Sequence, residues 1–202
     1  RYFFLNVDLS DAEKTELAIE KANPDLIINF AAESHVDRSI DSPDIFIKSN
    51  ILGTFNLLHS SKNHWNNLSI DRRSKFRFLH ISTDEVFGSL GPTGFFKENS
   101  PYMPRSPYAA SKASSDHLVN SWFETYGFPI LITNCSNNYG PFQFPEKLIP
   151  LAIMKGLNKE PIPLYGDGRN RRDWLYVEDH IDAILLVLSK GIIGNCYCIG
   201  GF

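Results

Sequence analysis

Three short apolar runs, each closing on small or polar residues, constrain the fold of this chain more than any other feature. They are Asp25-Leu26-Ile27-Ile28-Asn29-Phe30, Phe76-Arg77-Phe78-Leu79-His80-Ile81-Ser82 and Pro129-Ile130-Leu131-Ile132-Thr133. Nearly continuous apolar strands suit a parallel sheet covered on both faces. Helical stretches lie between them. Ser10 caps the first, with Glu13 completing a capping box, and it runs to about Ala22. A long helix from about Pro43 to Ser61 carries Ile47, Ile51, Phe55 and Leu58 on one stripe. Another starts near Pro107 and ends before Gly127. This alternation up to residue 135 predicts an α/β fold with a doubly wound parallel sheet. Tyr2 to Leu5 reads as a further short strand. Past residue 135 come helices at about 145–156 and 177–190 and short strands near 162–164 and 195–199. Residues 1–135 are thus expected to form the sheet domain. Residues 136–202 form mainly a smaller C-terminal lobe, with 178–199 returning to the sheet domain.

Two hundred and two residues can bury a sizeable core. The net charge of −3 argues against a general nucleic-acid or membrane-surface binder, and the longest late apolar run, Ile184 to Leu188, is far too short to span a bilayer. Three cysteines supply no disulfide framework. Cys196 and Cys198 share a strand face and read as reduced thiols, which fits a cytoplasmic location. The six histidines form no ligand cluster, so no metal is expected. The chain starts at Arg1 rather than Met, which suggests a piece of a longer protein.

The chemistry concentrates at the end of the second apolar run, in Ser82-Thr83-Asp84-Glu85-Val86-Phe87-Gly88. Ligands of open α/β sheets collect beyond the carboxyl ends of the strands. Neighbouring residues of a continuing strand point to opposite faces. Asp84 and Glu85 can therefore serve one substrate only if the strand ends near Ser82 or Thr83. Some twenty residues on, Tyr108 and Lys112 stand at i and i+4 on one helix face. A tyrosine acting as a base near neutral pH needs its pKa lowered by roughly three units, or about 4 kcal/mol. One ammonium about 4 Å away, at an effective dielectric near 20, supplies on the order of that amount.

Together with Tyr108-Ala109-Ala110-Ser111-Lys112, this stretch resembles the extended short-chain dehydrogenase/reductase family, and within it the branch of nucleotide-sugar dehydratases. The likeness extends over nearly the whole chain. It includes Ala31-Ala32-Glu33-Ser34-His35-Val36-Asp37-Arg38-Ser39, Ser136-Asn137-Asn138-Tyr139-Gly140-Pro141, Pro145-Glu146-Lys147-Leu148 and Arg172-Asp173-Trp174. The resemblance implies a Rossmann-like domain with a substrate-binding lobe, bound NAD and a homodimer. The implied reaction is dehydration of a nucleotide-diphosphate glucose to its 4-keto-6-deoxy sugar. In it Tyr108, aided by Lys112 and Thr83, takes the proton as C4 is oxidised. Glu85 then removes the C5 proton, and Asp84 protonates the departing C6 hydroxyl. Asp8, Leu9, Phe30, Ala31, Ala32, Glu33, Ser34, Ser49 and Asn138 match cofactor positions, as do Tyr108 and Lys112. Ser34, Thr83, Asn137, Lys147, Leu148, Pro163, Leu164, Tyr165 and Arg172 match substrate positions. A related epimerase or decarboxylase, or a non-catalytic nucleotide-sugar-binding protein, are the alternatives.

The sequence departs from the family pattern in three respects. The glycine-rich turn that approaches the dinucleotide pyrophosphate would lie before Arg1, so residues 1–202 alone are expected to bind NAD weakly. The spaced glycines Gly88, Gly91 and Gly94 are no substitute, because they enclose Pro92 and lead into no amphipathic helix. Cys198 stands where Tyr-Asn-Ile-Gly-Gly is usual, and the end of the substrate lobe would follow Phe202.

Overall fold

The computed structural model describes residues 2–91, 93–164 and 167–201. Four parallel strands form the main sheet in the order β1 (Leu26–Asn29), β2 (Arg77–Thr83), β3 (Ile130–Cys135) and β6 (Cys196–Ile199). In-register partners run from Ile27 with Phe78, through Phe78 with Ile130, to Ile132 with Cys196. A separate two-stranded parallel sheet pairs β4 (Asn137–Tyr139) with β5 (Trp174–Tyr176).

Strand periodicity of two sorts the side chains between the layers. Phe78, Ile130 and Ile132 pack with Leu57, Leu58 and Val119 of helices α4 (Gly53–Asn67) and α6 (Pro107–Tyr126). Leu79 and Leu131 face the other way, onto Ile184 and Val187 of α8 (Val177–Lys190). Helices therefore cover both faces, and β3 is buried from Ile130 to Asn134. This is the doubly wound parallel arrangement. Helix α1 (Ala12–Ala22) packs beside α4, the short helix α2 (Val36–Asp41) follows β1, and α5 (Ile70–Lys75) leads into β2. Helix α7 (Leu148–Leu157) lies between β4 and β5 in the chain. No helix among the described residues is long and apolar enough to cross a membrane.

Several local expectations change. Tyr2 to Leu5 pairs with no strand among the described residues, and Tyr2, Phe3 and Phe4 are exposed. Asp11 rather than Ser10 caps α1, its carboxylate accepting from Lys14 N at 3.1 Å, so the predicted capping box is not made. Residues 162–164 form no strand. The expected single helix from Pro43 to Ser61 is three pieces: α3 (Pro43–Phe46), a π-helical segment Ile47–Leu52, and α4. The wider π turns shift the helical phase. Phe46, Asn50, Thr54, Leu57 and Leu58 turn inward, while Ile47 and Phe55 of the expected stripe stay exposed.

Candidate active site

Strand β2 ends at Thr83, and the chain turns at once into the 3-10 segment Asp84–Phe87. Thr83 makes that turn: its Oγ1 accepts from Glu85 N at 3.3 Å and stands 3.3 Å from Asp84 Oδ1. The break in the strand frees the two acids from the alternation that would have parted them. Gly88 closes the turn at φ +89°, and a Cβ there would meet Met103 O at 2.4 Å. We expect Gly88→Ala to cost about 2 kcal/mol, because it combines a left-handed backbone with a backbone clash. Urea unfolding measures this, and an unchanged midpoint would contradict it.

Ser106 caps α6 by accepting from Ala109 N at 3.0 Å, and Pro107 occupies the first turn. Tyr108 is consequently held near the mouth of the sheet, 8% exposed, with its ring edge-on to Phe46. Burial pushes its phenol well above the ordinary value. Glu85 and Cys135 add to this, and a hydrogen bond with Thr83 opposes it. The expected depression by Lys112 is therefore not what the structure shows. The buried Lys112 instead donates through Nζ to Ile81 O at 2.8 Å, and burial lowers its pKa. The two acids are shifted upward, chiefly by burial. Asp173 raises Asp84 further, and Asp84 raises Glu85. Arg172 lowers both acids, and Lys147 lowers Glu85. Thr83, Asp84, Glu85 and Tyr108 thus share one electrostatic neighbourhood, with Lys112 one helical turn from Tyr108.

The segment after β1 is fixed by two asparagines. Asn29 Oδ1 accepts from Ala31 N at 3.1 Å. Asn50 Oδ1 accepts from Glu33 N at 2.8 Å, while its Nδ2 donates to Glu33 O at 3.0 Å and to Ser111 Oγ at 2.8 Å. Asn50 thereby ties the 30–34 segment to the helix that carries Tyr108 and Lys112. Phe30 projects outward, and Ser49 lies half-buried in the π segment. Asp8 and Leu9 stand at the start of α1. The Asp8 carboxylate accepts from Ser10 N, which lowers its pKa, and Asn56 Nδ2 donates to Leu9 O.

On the other side, Lys147 Nζ donates to Ser34 O at 3.3 Å, and Arg38 pairs with Glu146 at 2.8 Å. Asn137 is in β4. Asn138 Oδ1 lies 2.7 Å from His180 Nδ1, and its Nδ2 reaches Cys135 Sγ at 3.4 Å. Arg172 is exposed, its Nη1 donating to Arg171 O. Leu148 and Leu164 are exposed, and Pro163 makes no hydrogen bond among those described. Tyr165 falls outside the described residues. The predicted substrate residues therefore divide. Lys147 and Arg172 act on the acids, whereas Pro163 and Leu164 are not drawn to them. Asn50, Ser111, Cys135, Asp173 and His180 are site features that sequence reasoning missed. Ser111 and Asp173 left a signal, standing inside the stretches Tyr108–Lys112 and Arg172–Trp174, but neither was given a role.

The family profile described as GDP-mannose 4,6 dehydratase matches residues 1–201. The chain belongs to that family. It is 55% identical over 200 residues to a dTDP-glucose 4,6-dehydratase of Xanthomonas campestris pv. campestris, covering 99% of this chain and 57% of the relative. This chain thus spans little more than half the length of that relative. A double mutant of dTDP-glucose 4,6-dehydratase from Streptomyces venezuelae, solved with NAD bound, superimposes with a TM-score of 0.89 at 43% identity, covering 98% of this chain and 58% of that one. The UDP-glucose 4-epimerase of Thermus thermophilus in complex with NAD gives 0.84 at 28% identity, covering 96% and 62%. Membership of the family and the parallel sheet with helices on both faces together make the fold Rossmann-like.

Proposed function

We propose that the protein carries out NAD-dependent dehydration of a nucleotide-diphosphate glucose, dTDP-glucose in the first instance, to the 4-keto-6-deoxy sugar. The observation that carries this reading is the pair of half-buried acids at the end of β2, turned by Thr83 into the neighbourhood of the Tyr108 phenol. An epimerase acting at C4 needs Thr83, Tyr108 and Lys112 but has no use for two carboxyl groups. Elimination of water across C5 and C6 needs one base and one acid.

Burial raises both acids, and their neighbours differ in a way that is compatible with that division of labour. Asp173 beside Asp84 favours its protonated form, as a general acid requires. Burial and Asp84 raise Glu85 as well, and Arg172 lowers both acids, so what sets Glu85 apart as the base is the further pull of Lys147 toward its ionised form. Tyr108 takes the C4 hydroxyl proton during oxidation, with Thr83 orienting the phenol; its raised pKa in this structure runs against that role, and the positive nicotinamide of bound NAD would have to bring it down. Lys112 supplies positive charge one turn away.

The residues present suit a dinucleotide. Leu9 and the 30–34 segment offer backbone groups braced by Asn56, Asn29 and Asn50, and the exposed Asp8 carboxylate suits ribose hydroxyls. Bound there, NAD supplies a hydride acceptor and donor. Asp8, Leu9, residues 30–34, Ser49 and Asn138 would hold it, with Tyr108 and Lys112 beside the nicotinamide. Asn137, Lys147, Leu148 and Arg172, together with Pro163 to Tyr165, would face the nucleotide sugar. In this reading residues 136–177 are mainly the substrate lobe, and α8 and β6 belong with the sheet. The test is incubation of the full-length protein with NAD and dTDP-glucose, followed by mass spectrometry. Loss of one water with a carbonyl at C4 supports the reading, and a C4 epimer of unchanged mass refutes it.

The protein also acts as a dimer in this proposal. Ile47, Leu52, Phe55 and Tyr126 leave an apolar outer face on the π segment, α4 and α6, where Phe55 packs edge-on to Trp122. Light scattering of the full-length protein should give twice the chain mass, and Phe55→Asp should shift it toward monomer. A monomeric parent at micromolar concentration would exclude this part of the proposal.

A further inference from the structure

A group of buried polar side chains lies behind Lys112, between α6 and the sheet. Asp116, one turn after Lys112 and 2% exposed, is at its centre. Its Oδ2 accepts from Ser82 Oγ at 2.7 Å, Tyr102 Oη at 2.9 Å and Asn134 Nδ2 at 3.2 Å. Its Oδ1 accepts no hydrogen bond and faces His80 Nε2 at 3.4 Å. The same His80 nitrogen lies 3.5 Å from Lys112 Nζ. Asn29 fixes the imidazole from the far side. Its Oδ1 is taken by Ala31 N, so its Nδ2 faces His80 Nδ1 at 3.2 Å. Nδ1 is then the acceptor, and the proton sits on Nε2, toward the carboxylate.

A buried carboxylate with three neutral donors is expensive to maintain without an opposite charge nearby. The groups facing the pair come from every packed element: His80 from β2, Cys135 from β3, Cys196 from β6, Tyr102 from the loop before α6, and Tyr108 on α6 itself. Burial keeps them uncharged. It pushes Cys135 up to about 11 and Cys196 up to about 12, raises Tyr102 and Tyr108, and lowers His80. Among the described residues of the cluster, Lys112 and Asp116 are the pair left to carry opposite charges, with one neutral imidazole between them; burial pulls the Lys112 pKa down and the Asp116 carboxylate pulls it back up.

We propose that Asp116 is a positioning residue for Lys112, a buried carboxylate that, across the His80 imidazole, holds the lysine side chain charged and fixed one turn from Tyr108. The inference rests on the reading of Tyr108 and Lys112 as the acid–base pair of the reaction. Its first test needs no turnover, and so separates its failure from that of the reading. In full-length protein labelled with carbon-13 and nitrogen-15 in lysine, with the resonance assigned by Lys112→Arg, the Lys112 amine should read as a charged ammonium near neutral pH. A neutral amine in the parent overturns the proposal without any variant. Asp116→Asn, checked for folding by circular dichroism, should lower the Lys112 titration midpoint by about one to two pH units, the size expected for loss of one nearby buried charge. Tyr102→Phe, which removes a donor but keeps the charge, should leave that midpoint in place. If Asp116→Asn does not fold, Asp116→Ser carries the same expectation. The second test is the pH dependence of kcat, whose alkaline limb should move down in Asp116→Asn. A folded variant with an unchanged midpoint and an unmoved limb overturns the proposal, because a purely structural role would change stability or rate alone.

Discussion

Asp84→Asn combined with Glu85→Gln in the full-length protein is expected to slow water elimination by at least ~10³-fold, because each carboxyl carries a proton-transfer step. That factor corresponds to about 4 kcal/mol of lost transition-state stabilisation. Both replacements keep size and shape. The amide oxygen of an asparagine can still take the Thr83 hydroxyl, and Glu85 N still donates to Thr83. Oxidation at C4 should survive, since Tyr108 and Lys112 are unchanged. Added dTDP-glucose should then raise the absorbance of reduced nicotinamide without releasing a 4-keto-6-deoxy sugar. A double variant that eliminates water at nearly the parental rate would remove the two acids from the chemistry. Separate replacements refine the assignment. Glu85→Gln alone should also abolish incorporation of solvent deuterium at C5, and Asp84→Asn alone should leave some of that exchange.

Asn50→Leu should cause the largest loss of stability of any single change at the site. The side chain is 1% exposed and serves Glu33 N, Glu33 O and Ser111 Oγ at once. Leucine keeps its branched shape, is larger, and satisfies none of them. Unpaired buried polar groups cost about 1–3 kcal/mol each. With partial relief from water reaching the 30–34 segment, we expect a total near 3 kcal/mol, or about 6–12 °C in Tm for a chain of this size. Asn50→Asp, which keeps an acceptor for Glu33 N, should lose less. Thermal unfolding followed by circular dichroism decides the matter, and a Leu variant within about 0.5 kcal/mol of the parent, the range of an ordinary surface change, would show that the tether carries no weight.

The sheet was legible because burial on both faces writes itself into sequence as unbroken apolar runs, and 25–30, 76–82 and 129–133 each mark a strand of the main sheet, the second and third strands running on to Thr83 and Cys135. Tyr2 to Leu5 has the same composition, yet strand formation depends on a neighbour that composition does not specify. The helix expected from Pro43 to Ser61 failed differently. A 3.6-residue period describes an i→i+4 ladder, and a π segment leaves the residues in place while changing which of them face inward. At the site, the break after Thr83 could be reasoned from the need for two neighbouring acids to share one face. Chemistry-bearing residues at a strand end and a helix start were visible because their spacing is local. The Asn50 tether, the His180 contact with Asn138, and the cluster around Asp116 were not. Each is a polar residue that a hydropathy pattern assigns to the surface, and each is made internal by partners 14 to 61 positions away.

The π segment Ile47–Leu52 acts as a gear between two surfaces. Its register decides that Asn50 meshes inward with the 30–34 segment, and the same register decides that Ile47 and Phe55 face out. Deleting one residue within it would restore an ordinary helix and turn one half against the other by about 100°. Asn50 and Phe55 could not then both keep their present neighbours. A change selected for a better outer face would misalign the inner one, so the two surfaces are bound to evolve in step.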